Sequence, residues 1–223
     1  MKHSIRKAAL SPTFLIGIGF ILFQVWILLE PQQPLFERPV HLCAALILLF
    51  LVKPLGVPSL PSWVNRGIDA ILVAATCLVA VYYLTEFERL TTRMENVSPI
   101  FAIDIAVGAL LVFLLLEGSR RAVGWILVWV LLAFIAYAFL GDVLPGWLRF
   151  RGFDLEAATE ITTMTTAGVL GVTTSTSASF IFYFILFGSF YGAVGGGQLF
   201  IDLAIRLAGR ATGGTAKAAI IGS

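Results

Sequence analysis

The chain has 223 residues, of which 59% are hydrophobic and only 13% charged, and its mean hydropathy is +0.95. Soluble domains carry roughly 25% charged residues, so a soluble fold of this length is excluded and a bilayer is the expected solvent. The formal net charge of +2 is too small to indicate a nucleic-acid partner. Long apolar runs in a membrane satisfy their backbone hydrogen bonds as helices, and the composition therefore predicts an all-α polytopic membrane protein.

Six apolar runs approach the length of about 20 residues that a transmembrane helix needs. They cover Pro12–Leu29, Val40–Leu55, Ile68–Leu84, Ile100–Leu116, Val123–Leu140 and Ser177–Val194. The basic N-terminus also suits a signal peptide, but the first run is longer than a signal core and ends without a small-residue cleavage site. It is therefore predicted to be a retained helix. Lys53 is expected to reach the membrane surface, and Tyr82 and Tyr83 are expected to anchor the third helix at the interface.

The basic residues predict the orientation of these helices. Ten of the fifteen Lys and Arg residues fall on one side of the membrane, namely Lys2, Arg6, Lys7, Lys53, Arg66, Arg120, Arg121, Arg206, Arg210 and Lys217. The N-terminus is therefore predicted to be cytoplasmic, with Arg120 and Arg121 among the residues that set the topology.

This orientation requires that Asp154–Gly171 does not cross the membrane. The segment is predicted to be an interfacial amphipathic helix with Asp154 as its N-cap. Its weak apolar face comprises Leu155, Ala158, Ile161 and Thr162.

Three acidic residues lie near the ends of apolar runs. Glu117 precedes Arg120 and Arg121 at helical spacing, which predicts ion pairs. Asp69 follows Arg66 at i+3 and is predicted to pair with it. Asp104 has no partner nearby in the sequence.

No motif in the chain indicates catalysis or cofactor binding. There is no nucleophile motif and no phosphate-binding loop. Cys43, Cys77, His3 and His41 lack the spacing of metal ligands. We therefore expect neither a metal site nor an organic cofactor.

The last fifty residues combine an apolar run with two glycine-rich stretches. Gly188 and Gly192 lie on one helical face and predict close helix packing. Gln198–Arg210 has apolar residues at helical spacing, which predicts an amphipathic helix along the membrane surface. Its polar face carries Asp202, Arg206 and Arg210. Gly213 and Gly214 then end the pattern before the small-residue segment TAKAAIIGS, which contains Lys217.

The sequence of this last part of the chain resembles that of a known protein family. The sequence FGSFYGAVGGGQLFIDLAIRLAGRATGGTAKAAIIGS, residues 187–223, is similar to the start of the large membrane subunit of tripartite ATP-independent periplasmic (TRAP) transporters. The motifs RPVHL (38–42) and LLEGSRRAVGW (115–125) resemble the fused form, in which a small four-helix subunit precedes the large one. The fused form is similar to permeases served by TAXI-type solute-binding proteins.

The resemblance implies a sodium-coupled secondary transporter in a bacterial or archaeal inner membrane. A periplasmic binding protein would deliver a small organic solute, and sodium would be the coupling ion. Residues 1–122 would form the small-subunit domain, 123–172 the fifth helix and an outer interfacial helix, and 173–223 the start of the transport domain.

The resemblance also implies roles for residues near the end of the chain. Asp202, Arg206 and Arg210 would belong to an arm helix, and Gly213, Gly214 and Lys217 to the first limb of a re-entrant hairpin. The sodium and solute ligands of the family would follow Ser223. The sequence is therefore expected to be the front part of a longer permease, and no substrate-binding residue is assigned.

Two other functions remain open from the sequence. The chain could be a non-transporting scaffold or assembly subunit, because four or five of its helices need no substrate. A membrane-embedded enzyme would require clustered polar groups at one interface. The nearest candidates for such a cluster, Glu86, Glu88 and Arg89, have no catalytic motif beside them.

Overall fold

The structure of the chain is a computed structural model, which describes residues 11–208 except for the side chains at 201, 204, 207 and 208. Every regular element in this range is helical. The helices are α1 Pro12–Leu29, α2 Pro34–Val52, α3 Ser62–Thr85, α4 Phe87–Thr92, α5 Ala102–Ala122, α6 Trp125–Leu140, α7 Leu155–Thr159, α8 Val172–Thr176, α9 Phe182–Ala193 and α10 Gly196–Ala208. Two π-helical turns, Glu160–Met164 and Ser177–Ile181, follow α7 and α8.

Within residues 11–208, five helical spans are long and apolar enough to cross a membrane. They are α1, α2, α3, α5 and the continuous helical stretch Val172–Ala193. The sixth apolar helix, α6, has only 16 residues. The predicted all-α polytopic membrane fold is confirmed for the described part of the chain.

Proline and polar residues determine where the first two helices begin. Ser11 accepts a hydrogen bond from the Phe14 backbone N–H through its hydroxyl, and Pro12 occupies the first turn of α1. Pro34 likewise opens α2, with Glu37 in the first turn near the positive end of the helix dipole. Because these signals precede the apolar run, α2 begins six residues before the Val40 that hydropathy alone indicates.

The core lies between α2, α3 and α5. Its most deeply buried residues include Phe50 of α2, Val79 of α3 and Leu114 of α5, each fully buried. Helix α1 packs against α2 but buries only Gln24 and Ile27. This exposure suits a helix that faces lipid on most of its circumference.

The segment from Asp154 to Gly171 differs from the prediction in its extent and in its buried face. Asp154 does cap the helix, because its side chain accepts a hydrogen bond from the Ala157 N–H at 2.7 Å. However, α7 is only five residues long and continues as a π-helical turn. The predicted apolar face is largely open, with Leu155 56% exposed, whereas Glu160 and Thr163 are buried.

The chain divides after Ala178 into two compact units. In the second unit, α9 has no buried residue, and Gly195 with φ of +80° separates α9 from α10. Apart from the glycine's chain neighbours and its own helix backbone, no atom of the described residues lies within 4 Å of the place where a side chain would start on Gly188 or Gly192. Their role in helix packing therefore stays a prediction.

Helix α10 covers most of the predicted amphipathic segment. Asp202 accepts a hydrogen bond from the Gln198 side chain at 3.0 Å, and both Asp202 and Arg206 are exposed. The role of α10 as an arm helix stays a prediction. Other residues assigned by resemblance lie outside the described range, namely Arg210, Gly213, Gly214 and Lys217.

A candidate polar docking site on the helix bundle

Helix α5 carries a polar cluster near each of its ends. Asp104 lies in its first turn, and Glu117 with Arg121 lies near its last. At 1.5 Å per residue, Asp104 and Arg121 are about 25 Å apart along the axis. This separation is close to the hydrocarbon thickness of a bilayer, about 30 Å. We refer to these two regions as the Asp104 end and the Arg121 end of the bundle.

The Arg121 end joins α3 and α5 through ion pairs. Arg121 contacts Glu117 at 2.7 Å and Asp69 at 2.6 Å, and its side chain is only 4% exposed. Arg120 contacts Glu117 at 2.7 Å. The predicted pairing of Glu117 with both arginines is confirmed.

The predicted partner of Asp69 is wrong. Its carboxylate pairs with Arg121, 52 residues away, and also accepts a hydrogen bond from the Leu55 backbone N–H. The Arg66 guanidinium instead donates to the Ser62 carbonyl at 3.3 Å. The crossing of α3 and α5 thus brings a stronger partner to Asp69 than its own helix offers.

At the Asp104 end, one carboxylate collects several donors. The Arg89 guanidinium binds Asp104 through two nitrogens at 2.6 and 3.1 Å, and the Tyr82 hydroxyl also donates to it. The backbone N–H of Phe101 donates to the same carboxylate at 3.0 Å. The hydrogen bonds with Asp104 raise the pKa of Arg89, so its guanidinium stays charged.

Tyr82 and Tyr83 therefore do not act as interface anchors. Both rings are buried, and the Tyr83 hydroxyl donates to the Thr163 carbonyl oxygen at 2.6 Å. The polar ends of these tyrosines face protein groups, as buried tyrosine hydroxyls usually do.

The same end of the bundle holds residues 154–178, which we call the connecting segment. Glu160 pairs with Arg93 at 3.0 Å, and their side chains are 7% and 5% exposed. Glu160 also accepts a hydrogen bond from the Asn96 backbone N–H at 2.8 Å. A buried charge is stable only when it is paired and hydrogen-bonded, and the π-helical turn places Glu160 where both conditions are met.

Further contacts hold the later part of the connecting segment. Arg38 donates to the Leu170 carbonyl oxygen at 2.8 Å. Gln24 of α1 donates to His41 Nδ1 at 2.8 Å and to the Ala178 carbonyl oxygen at 3.2 Å. With Nδ1 accepting, His41 Nε2 carries the hydrogen and donates to the Ser177 hydroxyl at 3.1 Å.

Glycine 108 allows the connecting segment to approach α5 closely. A Cβ at this position would lie 2.6 Å from Thr163 Oγ1 and 2.9 Å from Thr159 Cγ2. Both threonines are buried, so a side chain at position 108 would force the threonine side chains or the segment that carries them to move.

The described residues contain no group of three or more His, Cys, Asp or Glu side chains that could hold a metal ion. Within each cluster, the charged groups instead bind one another. The arrangement is therefore suited to holding helices and the connecting segment in a fixed geometry.

Comparison with protein-family models matches residues 110–223 to the family described as "Tripartite ATP-independent periplasmic transporter, DctM component". The matched range is more than half of the chain. The protein belongs to this TRAP transporter family. Comparison with curated proteins gave no match, and comparison with solved structures gave none either.

As a TRAP permease component, the chain is a multi-pass membrane protein of a transport system and not an enzyme. The match begins inside α5 and includes the whole connecting segment. The expected domain boundaries after residues 122 and 172 stay predictions.

The sequence alone did not reveal the contacts that hold the connecting segment of this permease component against the helix bundle. Arg93 and Glu160 are separated by 67 positions in the printed sequence, and Tyr83 binds a backbone carbonyl, which has no sequence signature. One sequence signal pointed toward these contacts. Asp104 and Glu160 are acidic residues in apolar or threonine-rich surroundings, and a buried acidic residue needs a partner elsewhere in the chain.

Proposed function

We propose that the protein is the membrane permease component of a sodium-coupled TRAP-type secondary transporter that imports a small organic solute. A periplasmic binding protein of the TAXI type would deliver the solute, and the membrane would be a bacterial or archaeal inner membrane. The observation that carries the proposal is the family match over residues 110–223. The motifs at residues 38–42 and 115–125 support the fused, TAXI-associated form.

In this proposal, the bundle formed by α1, α2, α3 and α5 is the static scaffold. The buried ion pairs at both ends of the bundle support the proposal that it does not change shape. Breaking any of these pairs would remove the partner of a buried charge. Helix α10 would be the arm helix, with Asp202 and Arg206 on its exposed side.

The proposed orientation places the N-terminus and the Arg121 end in the cytoplasm. Lys53 and Arg121 meet at this end, since Lys53 donates to the Ala122 carbonyl and Arg121 to the Lys53 carbonyl. Basic residues between spans are enriched on the cytoplasmic side.

Uptake by the full-length protein in proteoliposomes tests this function. We expect labelled solute to accumulate only when a TAXI-type binding protein and an inward sodium gradient are both present. Replacing sodium by potassium is the control for the coupling ion. Equal uptake with potassium would contradict sodium coupling, and uptake without any binding protein would contradict the tripartite mechanism.

A non-transporting scaffold role is the second candidate. It is favoured by the mutual pairing of the charged residues at both ends of the bundle, which need no solute to be stable. This role predicts that the protein co-purifies with a separate transport subunit, and that uptake requires that subunit.

A further inference from the structure

An apolar groove of about 400 Å³ lies between α5, α6 and α7. It follows α5 from Gly108 to Leu116, which is about 12 Å at 1.5 Å per residue. Measured along α5, the groove begins about 6 Å from Asp104 and ends about 18 Å from it, so it reaches the middle of the bundle. Almost all of its lining atoms are apolar.

A second cavity, of about 650 Å³, adjoins this groove where α6 ends. Phe139 and Phe153 line both spaces. The second cavity is also lined by three charged residues, Asp142, Arg151 and Asp154. All three are exposed, and within the described part of the chain neither Asp142 nor Arg151 makes an ion pair.

The loop around the second cavity has the features of a membrane-surface segment. Trp147 is 91% exposed, and exposed tryptophans are enriched at the level of lipid headgroups. The charged cavity, which we call the charged mouth, shares the side chains of Phe139 and Phe153 with the apolar groove.

We propose that the two cavities form a binding site for one phosphatidylethanolamine molecule. Its acyl chain would occupy the groove between α5 and α6, and its headgroup would occupy the charged mouth. The Arg151 guanidinium would bind the phosphate, since its planar donors match phosphate oxygens.

The other charged residues favour an ammonium group beside this phosphate. Asp142 and Asp154 supply carboxylates, and one oxygen of Asp154 is already bound to the Ala157 N–H. Three aromatic residues, Phe139, Phe150 and Phe153, line the same mouth, and aromatic rings attract cations. A primary ammonium donates hydrogen bonds to carboxylates, whereas the quaternary ammonium of a choline headgroup has no N–H to donate.

The charge balance distinguishes this lipid from an anionic one. The mouth contains two carboxylates and one guanidinium. A phosphatidylglycerol headgroup would gain the contact with Arg151 but would face the two carboxylates without a compensating positive charge. The zwitterionic aminophospholipid is therefore the best match.

Lipid retention by the full-length protein tests the site. The protein is delipidated and titrated with phosphatidylethanolamine, phosphatidylcholine or phosphatidylglycerol, and bound lipid is counted by native mass spectrometry. We expect one phosphatidylethanolamine to bind at least about fivefold more tightly than the other two lipids. The readout is binding, so it is independent of the proposed transport function.

Paired variants locate the bound lipid. Arg151→Gln is expected to abolish the preference, whereas Arg149→Gln, in the same loop but outside both cavities, leaves it unchanged. Ala138→Phe fills the groove and is expected to prevent retention, whereas Ala136→Phe on the exposed side of α6 does not.

Three results would overturn the proposal. Equal retention of all three lipids would show that the site does not distinguish between headgroups. Unchanged binding in folded Arg151→Gln and Ala138→Phe proteins would place the lipid elsewhere. Loss of subunit or domain association in Ala138→Phe, without any change in lipid retention, would show that a protein helix occupies the groove.

Discussion

Asp104 shows how a single buried residue links three helices at one end of the bundle. Its side chain is 3% exposed and binds Arg89 of α4, Tyr82 of α3 and the backbone N–H of Phe101. A carboxylate within a membrane span is costly unless such partners are present. The residue therefore matters for the stability of the fold, even though it is not near any assigned substrate site.

The first prediction concerns this carboxylate. Asp104→Asn is expected to lower the free energy of unfolding by about 1 to 3 kcal/mol, because it weakens the hydrogen bonds that Arg89 and Tyr82 make with a buried carboxylate, while Arg89 keeps its second ion pair with Glu86. Equilibrium denaturation of the purified protein in detergent measures the effect. Glu88→Gln is the control, since Glu88 is exposed and its carboxylate makes no ion pair within the described range. Equal stability of the two variants would contradict the prediction.

At the scale of elements, the connecting segment is held against the bundle by both shape and charge. The shape component is the contact between Gly108 and the two threonines, Thr159 and Thr163. The charge component is the buried pair of Arg93 and Glu160. The two components involve different helices and can be tested separately.

Gly108→Ala tests the shape component. We expect a loss of about 1 to 3 kcal/mol in unfolding free energy, as for other overpacked positions, because the added methyl overlaps Thr163 Oγ1. Gly67→Ala in α3 is the matched control, since no atom of the described residues, apart from its chain neighbours and its own helix backbone, lies within 4 Å of the added Cβ. The comparison uses the same denaturation measurement. A Gly108→Ala protein as stable as the Gly67→Ala protein would show that the contact is not tight.

Glu160→Gln tests the charge component. The substitution leaves Arg93 buried without a negative partner, and a loss of about 3 kcal/mol is expected locally. We expect proteases to cleave the connecting segment many times faster than in the unaltered protein, whereas Glu156→Gln at an exposed position has no such effect. Unchanged cleavage in Glu160→Gln would mean that the pair does not hold the segment.

For the whole molecule, the two polar clusters fix which parts of the chain lie at opposite membrane surfaces. Helices α3 and α5 each have one end in each cluster, and Lys53, which follows α2, lies with Asp69 and Arg121 at one end of the bundle. The intervening surface is apolar, with Phe113, Leu78 and Ile71 exposed. This distribution suits a bundle that spans the bilayer with its charges at the two interfaces.

Cysteine labelling tests the proposed orientation. In a protein without Cys43 and Cys77, Ser59→Cys is expected to react with a membrane-impermeant maleimide only after the cells are permeabilised. Glu95→Cys is expected to react in intact spheroplasts, because it lies in the loop at the Asp104 end. Ser59 and Glu95 are both exposed, so a difference in labelling would report the side of the membrane and not burial within the protein. The reverse labelling pattern would place the N-terminus outside the cytoplasm.

The sequence was sufficient for features that depend on local geometry. The apolar runs determined the helical membrane fold, because in lipid each backbone group must find its partner within the same helix. The pairing of Glu117 with Arg120 and Arg121 also followed from the sequence, since residues three and four apart are neighbours on any helix. The N-cap at Asp154 was predictable for the same reason, because its partner is the backbone N–H only three residues further along the chain.

Only the tertiary structure decided the long-range partners. Asp69 binds Arg121 and Glu160 binds Arg93 because helix crossings bring these residues together, and hydropathy contains no information on crossings. Tyr83 likewise faces the Thr163 carbonyl because the connecting segment turns inward over Gly108. The sequence thus determined that the chain is a helical membrane protein, whereas packing determined how its charged residues are buried.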